Sequence, residues 1–239
     1  MNEATVSSSR EVELLELERR MEEDIIFGRL APGTRLVKDT LMARYGASRH
    51  YVRQALAQLE RAGIVLRERN VGATVRSYSP EEVAQIYEVR EMLTRQAALK
   101  IVLPAPPEFV ERLRAIQAEY RRYASELDLH GMHETNDAFH LALFSACGNP
   151  YLVQTLQDYM GLTLPMRAKN LADHEGLSLS LRQHDTMIEL LQGTDSWALA
   201  QLCVDHMHFS KADYLKRAAG DARVLTPLGQ AGGGKRQSA

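Results

Sequence analysis

The chain of 239 residues has only two cysteines, Cys147 and Cys203, and no CxxC pair. Both fall in apolar, helix-patterned surroundings and read as buried reduced thiols, which argues against a disulfide framework. No stretch approaches the about 18 consecutive apolar residues that a membrane span needs. The first ten residues, M-N-E-A-T-V-S-S-S-R, lack the apolar core of a secretory signal and are expected to be disordered. A cytoplasmic location is the resulting expectation. Excess charge is nearly absent as well, at −2 overall, which taken alone speaks against a nucleic-acid partner.

The distribution of charge says otherwise. Residues 29–76 carry ten Lys/Arg against three Asp/Glu, whereas residues 80–239 carry sixteen against twenty. A basic N-terminal unit on an acidic remainder fits a DNA-binding domain joined to a domain with another task. The length allows two domains, each with its own core.

The basic unit spans residues 11–77. Leu14, Leu17, Met21 and Ile25 recur at helical spacing until Gly28 and the Ala31-Pro32-Gly33 run end the helix. A short helix over about 38–45 follows, then a turn at Gly46. Ser48 caps a third helix that runs to Ala62, with Gly63 just beyond its end. Val52, Leu56 and Leu59 form the inward stripe of that helix, leaving Arg49 and Arg53 outward and near its start. A turn glycine, an N-cap and cations at the head of the second helix are what a helix-turn-helix DNA reader requires. Two β-like runs around Asn70–Gly72 then read as a hairpin wing.

Ser79-Pro80-Glu81-Glu82 is a strong helix start, with a cap, Pro at the first position and a capping-box Glu. From there the pattern is helical at roughly 81–102, 107–128, 131–147, 150–170, 176–192 and 196–218, with no strand signal. Short loops between six such segments predict an antiparallel bundle over residues 80–219. The Gly-rich tail, 220–239, is expected to be flexible. The fold class expected is thus mainly α: an N-terminal winged helix-turn-helix domain plus a C-terminal antiparallel bundle of six to seven helices.

The run Leu30-Ala31-Pro32-Gly33-Thr34-Arg35-Leu36, then Gly46-Ala47-Ser48-Arg49-His50-Tyr51-Val52-Arg53-Gln54-Ala55-Leu56, Gly63-Ile64-Val65 and Asn70-Val71-Gly72 resembles the GntR family of bacterial winged-helix transcription regulators. Tyr51 stands where that family usually has Pro. A position that tolerates Pro has no obligatory N–H, so Tyr is expected to be acceptable there. The remainder resembles the all-helical FCD effector domain of the FadR subfamily, on Tyr87-Glu88-Val89-Arg90, Asn136-x-x-Phe139-His140, Gly148-Asn149-Pro150, His184 and His206. The resemblance implies a homodimer on a two-fold operator, with the helical domain as dimer interface. It also implies a DNA contact at Arg35. Arg49 and Arg53 are placed to enter the major groove, where an Arg on guanine is worth about 1–3 kcal/mol of discrimination. Gly72 lets the wing backbone approach the minor groove. His50 is a further candidate.

In the helical domain, His140, His184 and His206 each lie on an apolar face of a different helix, with Asn136 one turn before His140. Three imidazoles and one oxygen suit a divalent metal, Zn²⁺ first, with Ni²⁺ or Mn²⁺ also acceptable. A neutral amide is a weaker ligand than the Asp often found at 136. Arg90 falls inside the stripe of Val83, Ile86, Leu93, Ala97 and Ile101, and a buried guanidinium needs an anion. Either an internal Glu pairs it or an acidic metabolite does; similar proteins hold small organic acids between such an Arg and the metal. Two rivals stand beside this ligand-responsive regulator. In one the metal ion is itself the effector. In the other a His₃ metal site is a hydrolase, but no HExxH pairing supplies a general base, and Asp137 and Asp185 are turned to other faces.

Overall fold

A computed structural model of the chain describes residues 3–68, 72–164, 166–167 and 173–224. Its elements are α1 (Glu3–Ile26), β1 (Arg35–Leu36), α2 (Lys38–Tyr45), α3 (Arg49–Arg61), β2 (Val65–Glu68), β3 (Gly72–Val75), α4 (Pro80–Leu99), α5 (Pro107–Glu126), α6 (Leu129–Ser145), α7 (Pro150–Leu162), α8 (His174–Leu190) and α9 (Ser196–Val224). Among the described residues no helix is long and apolar enough to cross a membrane.

The first domain folds because three apolar stripes meet. Leu17, Met21 and Ile25 of α1 pack against Val52, Leu56 and Leu59 of α3, and Leu41, Ile64, Val65 and Val75 close the core. Gly46 ends α2 at φ 66°, the left-handed conformation that lets the chain reverse into α3 without a side-chain clash. The wing is an antiparallel pair, β2 with β3, matching Val65 to Val75 and Glu68 to Gly72. β3 also pairs with β1, Arg35 opposite Thr74, so the sheet has three strands in the order β1-β3-β2. The sequence reading foresaw the hairpin but not β1, whose two residues have no local periodicity to reveal them. Asn70 and Val71 at the expected tip lie outside the described residues.

Asp24 of α1 ties that helix to α2 and to the loop that follows α1. It is buried and accepts from Arg29 Nε, from Arg44 Nε at 2.8 Å and from the Tyr45 hydroxyl at 2.7 Å. Burial works against its charge, but the hydrogen bonds from Tyr45, Arg29 and Arg44 prevail and hold its pKa below the usual value. Asp24→Ala is expected to cost about 1–3 kcal/mol in urea unfolding, the range for losing hydrogen bonds to a buried charged acceptor. A depressed carboxylate contributes stability above its unfolded pKa of about 3.9. That contribution disappears as pH falls through the lower, folded value, so the difference between wild type and variant should be full at neutral pH and shrink only in acid.

The helical body starts as expected. The Ser79 hydroxyl accepts from Glu82 N at 3.1 Å while the Glu82 carboxylate accepts from Ser79 N at 2.8 Å, a complete capping box. α4 packs chiefly on α9 and α7, and α5 on α6 and α8, around Ala97, Leu113, Phe139, Leu143, Met187 and Leu199. Cys147 and Cys203 are both free and buried.

Three expectations need correction. Residues 3–10 continue α1 rather than being disordered; no Gly or Pro interrupts the chain there, so the helix propagates back to Glu3. The helix drawn over 150–170 is interrupted: α7 ends at Leu162, capped by Thr163, and Leu164, Met166 and Arg167 are helical again beyond that break. At the other end α9 runs on to Val224, past the Gly220 at which the flexible tail was expected to begin. The remainder of the expected tail, 225–239, lies outside the described residues.

The two domains are joined by more than the segment before α4. The Tyr78 hydroxyl donates to Gly63 O at 3.4 Å, and the Tyr78 carbonyl accepts from the Tyr214 hydroxyl at 2.9 Å. Leu164, just after α7, is buried in the core of the first domain. Leu162 presses on Gly63 so closely that a Cβ there would stand 3.0 Å from its Cδ2.

Candidate functional site

The head of α3 is built by its cap. The Ser48 hydroxyl accepts from Tyr51 N at 3.3 Å. The N–H at 51 is therefore in use, contrary to the expectation that it is idle, and Tyr51 adds a capping bond that Pro could not make. The cap leaves Arg49, His50 and Arg53 exposed. Arg49 pairs with Asp39 at 2.6 Å, but the two side chains are 68% and 72% exposed, so this pair yields readily to a phosphate or base. Arg53 Nη2 stands 3.4 Å from His50 Nδ1. Because β1 joins the sheet, Arg35 comes to the same side: Arg35, Lys38, Arg49, Arg67 and Gly72 line one open groove. His50 and Arg53 lie beyond its lining, further along the exposed face of α3. Lys38 and Arg67 were missed by sequence reasoning, although each is a cation next to a structural signal, the start of α2 and the first wing strand.

The second site lies inside the helical body. His140 of α6, His184 of α8 and His206 of α9 converge, with ligating nitrogens all within 4.8 Å of one another. His140 Nε2 is 3.2 Å from His206 Nε2. His184 Nδ1 faces Gln117 Oε1 at 3.0 Å, and His206 Nδ1 faces Gln183 Oε1 at 2.8 Å. An amide oxygen can only accept, so each Gln fixes the proton on Nδ1 and turns the Nε2 lone pair toward the centre, as outer-sphere partners of metal-binding histidines do. His184 Nε2 is buried with no hydrogen-bond partner. Burial, with His206 and then Arg90 and Arg167 adding to it, holds His140 well below the ordinary value, and burial brings His206 down to about 3. The imidazoles are thus neutral and able to ligate at neutral pH. An orphaned nitrogen facing two other imidazole nitrogens is a donor set that a divalent cation fits. Asn136 lines the same cavity; its Nδ2 donates to Asp137 Oδ1 at 3.2 Å, leaving the amide oxygen as the atom that can ligate.

Arg90 and Arg167 form the cationic wall of this cavity, with Ser180, Gln183 and Ser210 as polar lining. Arg90 is 3% exposed, donates to Thr163 Oγ1 at 2.9 Å and has a buried Nε without a partner. Burial and then the neighbouring Arg167 pull its pKa down to about 10. The internal Glu offered as one partner is not there: among the described residues, no carboxylate forms an ion pair with Arg90. Arg167 is different. Burial opposes its charge, but Asp137 more than offsets this and raises its pKa, accepting from Nη1 and, at 3.2 Å, from Nη2. Asp137 and Asp185 do not line the cavity, as the sequence reading expected, and its described lining contains no carboxylate to serve as a general base. His133 faces Asp137 at 3.9 Å on the cleft between the domains, and His208 is a surface residue near Glu91 and Asp205. Arg167, Gln117 and Gln183 were not singled out from the sequence. Gln117 alone left a trace there, a polar residue on the buried stripe of Val110, Leu113 and Tyr120.

Comparison with known proteins bears on both domains. The profile of bacterial regulatory proteins of the gntR family matches residues 15–75, and that of the FCD domain matches residues 85–209. The chain belongs to the GntR family of bacterial transcription regulators and carries an FCD domain. It is 24% identical over 200 residues to the HTH-type transcriptional regulator YdhC of Bacillus subtilis, covering 81% of this chain and 87% of that one. It is 26% identical over 203 residues to the HTH-type transcriptional repressor GlaR of Escherichia coli, covering 79% and 90%. Among solved structures, E. coli McbR/YncC shares the fold with a TM-score of 0.62 at 17% identity, covering 88% of this chain and 98% of that one. These relatives are regulators rather than enzymes, and regulators of this family act on operator DNA.

Proposed function

We propose that this regulator belongs to the FadR subfamily and binds a palindromic operator as a homodimer in the cytoplasm, responding to a small organic acid held beside a divalent metal. Arg35, Arg49, His50, Arg53 and Gly72 are the DNA-facing residues; Asn136, His140, His184 and His206 hold the metal; Arg90 holds the acid. The observation that supports this best is a cavity lined by Arg90, which has no carboxylate partner among the described residues, and by His140 and His206, two of the three neutral imidazoles that converge there. The metal supplies a fixed positive charge, and Arg90 a second anchor point, so a carboxylate is the group the cavity neutralises. Occupation that favours one arrangement of the two winged helices changes the half-site spacing and so the operator affinity. Repression is the expected direction, since the E. coli relative is named a repressor.

A metal-sensing reading is supported by the Arg90–Thr163 bond, which gives Arg90 a partner within the protein. One titration separates the two. Operator affinity is measured on the protein's own promoter DNA with Zn²⁺, Ni²⁺ or Mn²⁺, each with and without a panel of small di- and hydroxycarboxylic acids, alongside thermal shift with and without chelator. In the acid-responsive reading metal alone saturates without changing DNA binding, and an acid changes it only on metal-loaded protein. An effect of metal alone, unaltered by any acid, makes the ion the effector. Wild-type protein without salt-dependent DNA binding would overturn both.

A further inference from the structure

The two glutamines behind the histidine triad are held differently. Gln117 is pinned at both ends of its amide: Oε1 faces His184 Nδ1 at 3.0 Å, while Nε2 donates to Leu181 O at 3.1 Å and to Asp185 Oδ1 at 3.3 Å. With two acceptors on its nitrogen this amide cannot turn over, so the His184 proton stays on Nδ1. Gln183 is anchored on one side alone. Its Oε1 faces His206 Nδ1 at 2.8 Å, but its Nε2 is not enclosed and meets no acceptor among the described residues. A half-turn of this amide would set Nε2 against His206 Nδ1 and move the imidazole proton to the ring nitrogen that faces His140. The 3.2 Å contact between His206 Nε2 and His140 Nε2 carries a proton in either sense, so it does not decide between the two arrangements. Gln183 also lines the cavity, together with Arg90 and Ser180. Ser180 lies one turn before it on α8. The Ser180 hydroxyl accepts from the Tyr120 hydroxyl at 3.2 Å, which leaves its own proton to give.

We propose that Gln183 joins the two ligands of this cavity: its oxygen holds His206 ready for the metal, and its amide N–H groups receive the acid. This rests on the acid-responsive reading above. A carboxylate taken up by Arg90, Ser180 and Gln183 Nε2 does for Gln183 what Leu181 and Asp185 do for Gln117. It keeps the amide oxygen on His206 Nδ1 and so leaves His206 Nε2 free to ligate. Metal and acid therefore strengthen one another's binding, by the same factor in each direction. Gln183 is a binding residue for the acid and a positioning residue for the metal, whereas Gln117 is a positioning residue only.

The coupling is read by titrating full-length protein, first freed of metal, with Ni²⁺ by calorimetry. Acetate, succinate or chloride is present at one ionic strength. In wild type at least one of the two carboxylates is expected to tighten Ni²⁺ binding by about fivefold or more, the lower end of usual coupling between sites. Gln183→Glu offers His206 an acceptor whichever way it turns, but it has no N–H and repels an anion. It should bind Ni²⁺ more tightly than wild type in chloride and no longer respond to carboxylate. Gln183→Met loses both functions: Ni²⁺ affinity should fall about 10–100-fold, again without a carboxylate response. Gln117→Met should lose a similar factor yet keep the wild-type response, which separates the joint role of Gln183 from mere support of a ligand. A response that persists in Gln183→Glu and Gln183→Met overturns the proposal. So does wild type that binds Ni²⁺ equally in every buffer, and either result leaves the metal site standing. Wild type that takes up no Ni²⁺ overturns the metal site and the coupling together.

Discussion

Replacing Arg49 and Arg53 together with alanine is expected to lower operator affinity by about two to four orders of magnitude, from about 1–3 kcal/mol for each Arg that reads a base. Both side chains are exposed, and the helix beneath them is held by Ser48 and the stripe of Val52, Leu56 and Leu59, so folding should be unaffected. A gel-shift titration against promoter DNA measures the loss, and circular dichroism checks the fold. The salt dependence separates two roles. A phosphate contact lowers the slope of log affinity on log salt by about one per residue and weakens all sequences alike. A base contact relaxes discrimination at one position. Arg35→Ala and Arg67→Ala, in the groove between α3 and the sheet, are expected to behave in the first way. If the double variant binds the operator as wild type does, α3 is not the reading helix.

Metal binding should be lost outright in His184→Ala. His184 is fully buried, its Nε2 has no other partner, and deleting it leaves two imidazoles where three converge. Removing only the orienting amide of Gln117 or Gln183 is expected to cost about 10–100-fold in metal affinity, the usual effect of an outer-sphere partner. Ligand binding to the folded state at a hundredfold excess over Kd stabilises by about 2.7 kcal/mol. In a chain of this size that raises Tm by roughly 5–10 °C. Chelator should therefore lower the melting temperature of metal-loaded wild type by this amount and leave His184→Ala unmoved. Because His184 also stacks on Phe139 at 4.1 Å, the variant will melt lower in absolute terms, and only its response to metal and chelator bears on the site. Wild type that takes up no divalent ion by direct titration removes the metal from the proposal.

What could be read from the sequence depended on whether the signal was local. The Ser79–Glu82 capping box, the Gly46 turn and the inward stripe of α3 are patterns within a few residues, and the structure bears them out. The histidines could be found because a titratable side chain on an apolar face stands out even when its partners are far along the chain. Arg167 could not. It was drawn inside a continuous helix that in fact breaks at Thr163, and its partner Asp137 is thirty residues away. β1 escaped for a similar reason: two residues acquire strand character only by pairing with β3.

The seating of Leu164 in the winged-helix core has a consequence for dissecting or recombining this protein. The reading head is not a self-contained cartridge: a fragment cut at residue 77 would carry an apolar socket with its plug missing. Chimeras that graft residues 11–77 onto another regulator's body should succeed only where the recipient brings an apolar side chain to that socket and nothing bulkier than Leu162 over Gly63. Swaps that ignore this fit are expected to yield sticky, poorly expressed hybrids, even with every DNA-facing residue intact.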